Sequence, residues 1–217
     1  VTRVLIDTSP DMREQLLDAE VGWLDGVVFT HSHADHTHGI DDLRQIVFNM
    51  RGRLPVWADV PTQTALRDRF AYAFEQLPGS SYPPILDLHL LDGPVTVSGK
   101  GGNLTLRPFL VDHGAMDALG FRIGGLAYLP DAVAIPEAGW GMLDGLEVWV
   151  VDALRRMPHP THAHLALTLD WIERAAPKQA VLTNMHIDLD YETVLAETPA
   201  HVSPAFDGMV IEIDAPA

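Results

Sequence analysis

Apolar and polar positions along the chain follow two rhythms. Short apolar runs at residues 4–6, 27–29, 54–58, 147–151, 180–182 and 209–213 read as strands. Residues 11–19, 40–50, 62–74, 165–176 and 191–196 carry the helical spacing instead. On 40–50, Leu43, Ile46, Val47 and Met50 fall on one face; on 165–176, Leu165, Leu169, Ile172 and Ala176 do. Pro61 suits a helix entrance. Residues 77–84 form a breaker-rich loop. After it the pattern turns to strands, at 85–91, 94–97, 103–111, 119–123 and 126–129, with turn signals at 99–102 and at Gly124-Gly125. Strand-helix units, a strand-rich middle, then strand-helix-strand again predict a layered α/β architecture. No repeat, low-complexity tract or linker divides it, so a single domain over 1–217 is expected. Two sheets face to face with helices outside would accommodate every element, although periodicity alone does not establish that arrangement.

Composition narrows the function. The chain has 217 residues, 47% of them hydrophobic, enough for a sizeable core. No apolar run approaches the roughly 20 residues of a membrane span, and no signal peptide is evident. The first residue is Val1, and a strand-like run follows at once, so the native chain could begin earlier. The absence of cysteine excludes disulfides, thiolate metal sites and a cysteine nucleophile in these residues. It fits a reducing compartment, and a cytoplasmic location is expected. A formal net charge of −16 repels nucleic acid phosphates, so no long nucleic acid and no membrane partner is expected. A small anionic substrate stays open, because bound cations reverse the local field. The chain has 11 histidines, four of them between 31 and 38.

That cluster is Thr30-His31-Ser32-His33-Ala34-Asp35-His36, directly after the apolar strand 27–29. Sites in α/β proteins gather at strand ends. In extended backbone His31 and His33 point the same way, and Asp35 and His36 follow where the chain turns into a helix. Imidazoles with a carboxylate are donors for Zn²⁺, and also for Mn²⁺ or Fe²⁺.

The HxHxDH pattern at His31, His33, Asp35 and His36 resembles the signature of metallo-β-lactamase-fold hydrolases. The resemblance implies an αβ/βα sandwich of two mixed sheets and a centre of two divalent metal ions, Zn²⁺ or Mn²⁺. His31, His33 and His113 would hold one metal; Asp35, His36 and His186 would hold the other, with Asp131 bridging. Asp35 also counts among the catalytic residues. Asp7, in Leu5-Ile6-Asp7-Thr8, matches an early aspartate that orients a ligand histidine. One departure stands out: the last histidine would be expected directly after Leu182-Thr183, where this chain has Asn184. His186 is favoured over Asn184 as that ligand.

The segment from Asp152 to Leu165 resembles the branch containing PhnP-like phosphodiesterases and tRNA 3′-processing endonucleases. That branch pairs a strand-end acid with a histidine at the start of the next helix. Asp152 and His162 match, and His162 is favoured over His164 because the first helical turn would aim ring and dipole at the substrate. His162, protonated, would act as general acid and Asp152 would orient it, while two cations about 3.5–4 Å apart neutralise charge on the phosphoryl group. No RNA-gripping arm is visible, so a small cyclic phosphodiester or nucleotide-like substrate is expected, and the resemblance also suggests a homodimer. Tyr72, Phe74 and Tyr82, near the 77–84 loop, could form a stacking wall or be ordinary core and loop residues. The competing readings are a thiolesterase or lactonase of the same fold and a non-catalytic metal-binding accessory protein in cofactor biosynthesis.

Overall fold

The computed structural model describes residues 1–213. The chain divides into two compact units, Val1–Thr105 and Leu106–Ala217.

The first unit contains β1 (Val4–Ile6), α1 (Met12–Asp18), β2 (Gly26–Val28), α2 (Ala34–Thr37), α3 (Leu43–Met50), β3 (Leu54–Ala58), α4 (Val60–Phe74), β4 (Leu86–Leu90) and β5 (Val95–Gly99). Its four-stranded sheet has the order β1-β2-β3-β4. Leu5 pairs Val27, Val27 pairs Val56 and Val56 pairs Leu88, all in parallel register. This sheet was expected to be mixed, and every described pair in it is parallel. The cause is the helix between each pair of neighbouring strands, which supplies the crossover that a parallel pair needs. Val27, Phe29, Leu54, Val56 and Leu66 have no exposed surface and form the core.

The helix expected over 40–50 is split into a 3-10 turn at Ile40–Asp42 and α3. Gly39 explains the break. Its N–H donates to Thr8 O at 2.9 Å, and a Cβ there would lie 2.0 Å from Ser9 O. The chain leaving α2 is thus held against the exit of β1 before α3 begins. α4 starts two residues earlier than expected, because the Asp59 carboxylate accepts from Thr62 N at 3.0 Å and caps it.

β5 forms a hairpin with the start of β6 (Gly102–Asp112), the Thr96 and Thr105 hydroxyls lying 2.9 Å apart. β6 continues into the second unit, which adds β7 (Asp117–Ile123), β8 (Leu126–Leu129), α5 (Glu137–Trp140), β9 (Val148–Asp152), α6 (Leu165–Ala175), β10 (Gln179–Thr183), α7 (Tyr191–Glu197) and β11 (Val202–Pro204). Here the sheet is mixed. β6, β7 and β8 run antiparallel; β8, β9, β10 and β11 are parallel neighbours. Phe121 on β7, Leu129 on β8 and Trp149 and Val151 on β9 are fully buried.

The closing strand expected over 209–213 does not form, and β11 occupies that role. Ala180 N donates to His201 O and Ala205 N to Leu182 O, so residues 201–205 already pair the β10 edge. Val210, apolar in sequence, is left 82% exposed. No helix among the described residues is long and apolar enough to cross a membrane.

Candidate metal centre

In the first unit the donors are organised by two buried residues, Asp7 and Thr30. Asp7 follows β1 with φ +61°, a conformation that aspartate tolerates better than most residues. Its Oδ1 accepts from Thr30 N at 2.7 Å, and its Oδ2 accepts from the Thr30 hydroxyl at 2.7 Å. Oδ2 also faces His36 Nδ1 at 2.8 Å. Burial raises the Asp7 pKa, against the lowering effect of the His36 and Thr30 hydrogen bonds. The single Thr30 hydroxyl hydrogen is committed to Asp7. The Thr30 oxygen therefore accepts from His31 Nδ1, 3.0 Å away. In the neutral rings both His31 and His36 then carry the hydrogen on Nδ1, leaving Nε2 as the nitrogen with a lone pair to give.

His31 Nε2 lies 3.0 Å from His33 Nδ1, so the first two histidines turn ring nitrogens toward one point. α2 begins directly after His33 and puts Asp35 and His36 in its first turn. Asp35 is mostly exposed, its Oδ2 3.5 Å from His36 Nε2. The Arg69 guanidinium, from α4, donates to Ser32 O and ties the loop between the two histidines. Sequence reasoning missed Thr30 and Arg69. Thr30 left a trace in its place between strand and motif; Arg69, 37 residues from Ser32, left none.

In the second unit His113 follows β6 and Asp131 follows β8; both are 1% exposed. His113 Nδ1 donates to Thr161 O at 2.7 Å, since a carbonyl only accepts. That again leaves Nε2 as the donor nitrogen, 3.5 Å from Asp131 Oδ2. Gly114 permits this contact. It has φ +80°, and a Cβ would meet Thr161 Cγ2 at 2.5 Å. Thr161 was also missed by sequence reasoning.

Asp152 ends β9 with no exposed surface. Its Oδ2 accepts from Ala132 N at 3.1 Å and Ala163 N at 3.3 Å, and faces His162 Nδ1 at 3.0 Å. Its Oδ1 is buried with no hydrogen-bond partner among the described residues. Burial pushes its pKa up to about 6, opposed by the hydrogen bonds from His162 and Ala132. The His162 ring sits edge-on to the His113 ring, centroids 4.6 Å apart. His162 does not lie in the first helical turn as expected. α6 starts at Leu165 with His164 as its cap, because Ala163 N donates to Asp152 and Leu154 N to Ala163 O, which keeps 162–163 out of the helix. His164 makes no contact with Asp152 of the kind His162 makes, and its carbonyl accepts from Thr168 N.

Asn184, not His186, is brought to this cluster. Asn184 adopts φ +59° after β10, and its Nδ2 lies 3.2 Å from Asp131 Oδ1 and 3.3 Å from His162 Nδ1. His186 is exposed and its Nδ1 faces Asp188 at 3.4 Å. The two-residue offset matters because a left-handed residue turns the chain sharply and carries Met185 and His186 away from Asp131. Of the remaining histidines, His159 meets Thr161 through Nδ1, His89 stacks on Trp57, and His38 contacts Phe70 edge-on.

His31, His33, His113 and Asp131 are residues that could hold a metal ion. The donor chemistry fits: three imidazoles are fixed by oxygen partners in the tautomer that offers Nε2, the arrangement expected around a nitrogen- and oxygen-ligated divalent ion. Residues 2–187 match the model of the β-lactamase superfamily domain. The chain belongs to that superfamily. Its two sheets with helices are the α/β metallo-β-lactamase fold, a hydrolase-type fold. Among solved structures, a superfamily member described as a new diphosphatase from the PhnP family is 34% identical, with TM-score 0.87 over 97% of this chain and 80% of that one. The short form of human tRNase Z has TM-score 0.70 at 17% identity, over 98% of this chain and 88% of that one, a likeness of fold alone. An octanoyltransferase of Porphyromonas gingivalis (strain ATCC BAA-308 / W83) is 34% identical over 215 residues, 98% of this chain and 42% of the relative. The chain therefore spans less than half the length of that curated relative.

Proposed function

We propose that the protein is a metal-dependent phosphodiesterase acting on a small cyclic phosphodiester or nucleotide-like substrate. The observation that carries this reading is the Asp152–His162 pair, 3.0 Å apart, with the His162 ring against His113. In the superfamily member named a diphosphatase the reaction is at phosphorus, which agrees with it. The proposed donors are His31, His33, Asp35 and His36 from the first unit and His113 and Asp131 from the second. Asn184 stands where His186 was expected, and its amide N–H donates to Asp131 Oδ1, so it holds that carboxylate in place. Bound divalent cations, Zn²⁺ or Mn²⁺, supply Lewis-acid neutralisation of the phosphoryl oxygens.

The chain's own residues do the rest. Asp7 and Thr30 hold His36 and His31 in one tautomer, and the Thr161 carbonyl does the same for His113. Asp152 accepts from His162 Nδ1, so Nε2 is the nitrogen that carries or releases a proton on the open side of the ring. Water adds to phosphorus and gives a proton to solvent as the bond to the leaving oxygen breaks; with His162 protonated, Nε2–H donates to that leaving oxygen, and the buried Asp152 carboxylate stabilises the imidazolium. The acyl reading suggested by the octanoyltransferase has less support, because that name belongs to a protein of which this chain spans 42%.

The test uses leaving groups of different basicity. Metal-loaded wild type, His162→Ala and Asp131→Ala are assayed on 2′,3′-cyclic nucleotides, bis-p-nitrophenyl phosphate and p-nitrophenyl octanoate, with metal content measured for each. The alkoxide leaving group of a cyclic nucleotide needs a proton and nitrophenolate does not. His162→Ala should therefore lose about 10²–10⁴ in kcat on the cyclic nucleotides, much less on the nitrophenyl diester, and keep its metal. Asp131→Ala should lose metal and turnover together. Octanoyl ester turnover without phosphodiester turnover would overturn the reading.

A further inference from the structure

The first unit holds a groove that no step above uses. A cavity of about 670 Å³ lies along α3 and the segment 76–85, and a neighbouring one of about 410 Å³ shares Arg44, Phe48, Tyr82 and Pro83 with it. Volumes in this range suit a small organic ligand. Among the described residues, the charged ones lining the larger cavity are all arginines, Arg44, Arg51 and Arg53, and Glu75 lines the smaller cavity. In a chain with 14 Lys and Arg against 30 Asp and Glu, this local reversal does not follow from composition.

The three guanidinium groups differ in what they already hold. Arg53 donates to Asp87 Oδ1 at 2.6 Å and to Phe74 O at 3.1 Å. Arg44 donates to Asp41 Oδ1 at 2.8 Å. The Arg51 guanidinium has no hydrogen bond or ion pair among the described residues. It is carried on a residue at φ +57°, the end of α3, where glycine or asparagine is usual. The walls beside it are flat and exposed: Phe48 is 60% and Tyr82 76% exposed. Phe74, by contrast, is 6% exposed and belongs to the core rather than to a stacking wall.

We propose that this groove binds a planar aromatic anion, its ring against Phe48 and Tyr82 and its carboxylate or phosphate on Arg51. Ring faces and guanidinium planes both favour a flat π-system, and a charge-assisted hydrogen bond to Arg51 supplies orientation. A flexible acyl anion would satisfy Arg51 and bury its chain, but it would lack ring stacking and would lose more rotamer freedom than a rigid ring. The assignment rests on the first unit alone and is independent of the phosphodiesterase reading.

Calorimetric titration of the protein with 2-naphthoate, AMP, octanoate and neutral 2-naphthamide tests it, in wild type, Arg51→Asn and Tyr82→Ser. Asparagine keeps the left-handed backbone, so the first variant removes the charge and not the turn. At least one of the two aromatic anions should bind saturably. Arg51→Asn should weaken that binding about tenfold or more, and Tyr82→Ser about fivefold or more. Naphthamide should bind about tenfold more weakly than naphthoate. Tighter Arg51-dependent binding of AMP than of naphthoate would assign the anion as phosphate, and the reverse as carboxylate. No saturable binding of either, wild-type affinity in Arg51→Asn, or octanoate binding as tightly as naphthoate would overturn the proposal.

Discussion

Thr30 shows how one small side chain can set the chemistry of its neighbours. Its one hydroxyl hydrogen goes to Asp7, so its oxygen must accept from His31, and the acceptor nitrogen of His31 is decided. Thr30→Val keeps shape and removes this relay. It should weaken metal binding about 10–100-fold, the usual cost of losing a partner that orients a ligand, measured by competition against a chromophoric chelator. Thr30→Ser keeps the hydroxyl and should restore most of the affinity. Asp152 gives a second residue-level expectation, in the metal-free protein. Its folded pKa is raised to about 6 from 3.8, so the fold prefers the neutral acid. Below about pH 4 the carboxyl is neutral in both states and costs nothing; above about pH 6 it is ionised in both and the whole penalty applies. Stability should therefore fall as pH rises through this window, by about 3 kcal/mol. Asp152→Asn should flatten the fall, as chemical denaturation of both proteins from pH 4 to 7 would show; parallel curves would contradict it.

At the scale of elements, the site depends on what happens just past the strand ends. β1, β2, β6, β8 and β10 are each followed closely by a residue of the candidate site, Asp7, His31, His113, Asp131 and Asn184, and β9 ends on Asp152. The turn at Gly114 illustrates the tolerance involved. Gly114→Ala forces a side chain into a left-handed residue and onto the Thr161 methyl. It should cost at least about 1–2 kcal/mol in unfolding free energy and reduce metal content, since Thr161 O would be moved off His113 Nδ1. The double variant Gly114→Ala/Thr161→Ser lacks the methyl in the way and should recover part of both losses. Recovery of neither would mean that the clash is not the cause. Within the cores the expectation is ordinary: Phe29→Ala, at a fully buried position, should cost about 3–5 kcal/mol.

At the scale of the whole molecule, a net charge of −16 means self-repulsion that salt can screen. Moderate salt should raise the unfolding midpoint, and tRNA should not be retained by the protein at physiological ionic strength. Metal removal acts in the opposite direction. A cation present at 100 times its Kd stabilises by about 2.7 kcal/mol, so chelation should lower the midpoint and readdition should restore it. Differential scanning of the chelated and reloaded protein checks both.

What the sequence by itself determined is local in origin. Helical and strand periodicities reflect which face of each segment must be buried, and they located nearly all of the elements. The cluster His31, His33, Asp35 and His36 is contiguous, so its donor types and spacing were legible without a fold. The pairing of Asp152 with His162 was legible through the resemblance to the phosphodiesterase branch, which pairs a strand-end acid with a histidine ahead of the next helix. Tertiary structure decided the features that depend on partners distant in sequence or on one backbone torsion. The run 209–213 has the apolar pattern of a strand, but the edge it would need is paired by 201–205. The helix expected at 40 is delayed because the backbone of Thr8 and Ser9 presses on Gly39. Asn184 rather than His186 reaches Asp131 because a positive φ turns the chain between them, and no composition or spacing encodes that rotation. The tautomers of His31, His36 and His113 likewise depend on Thr30, Asp7 and Thr161, whose oxygens meet those rings only once the chain has folded.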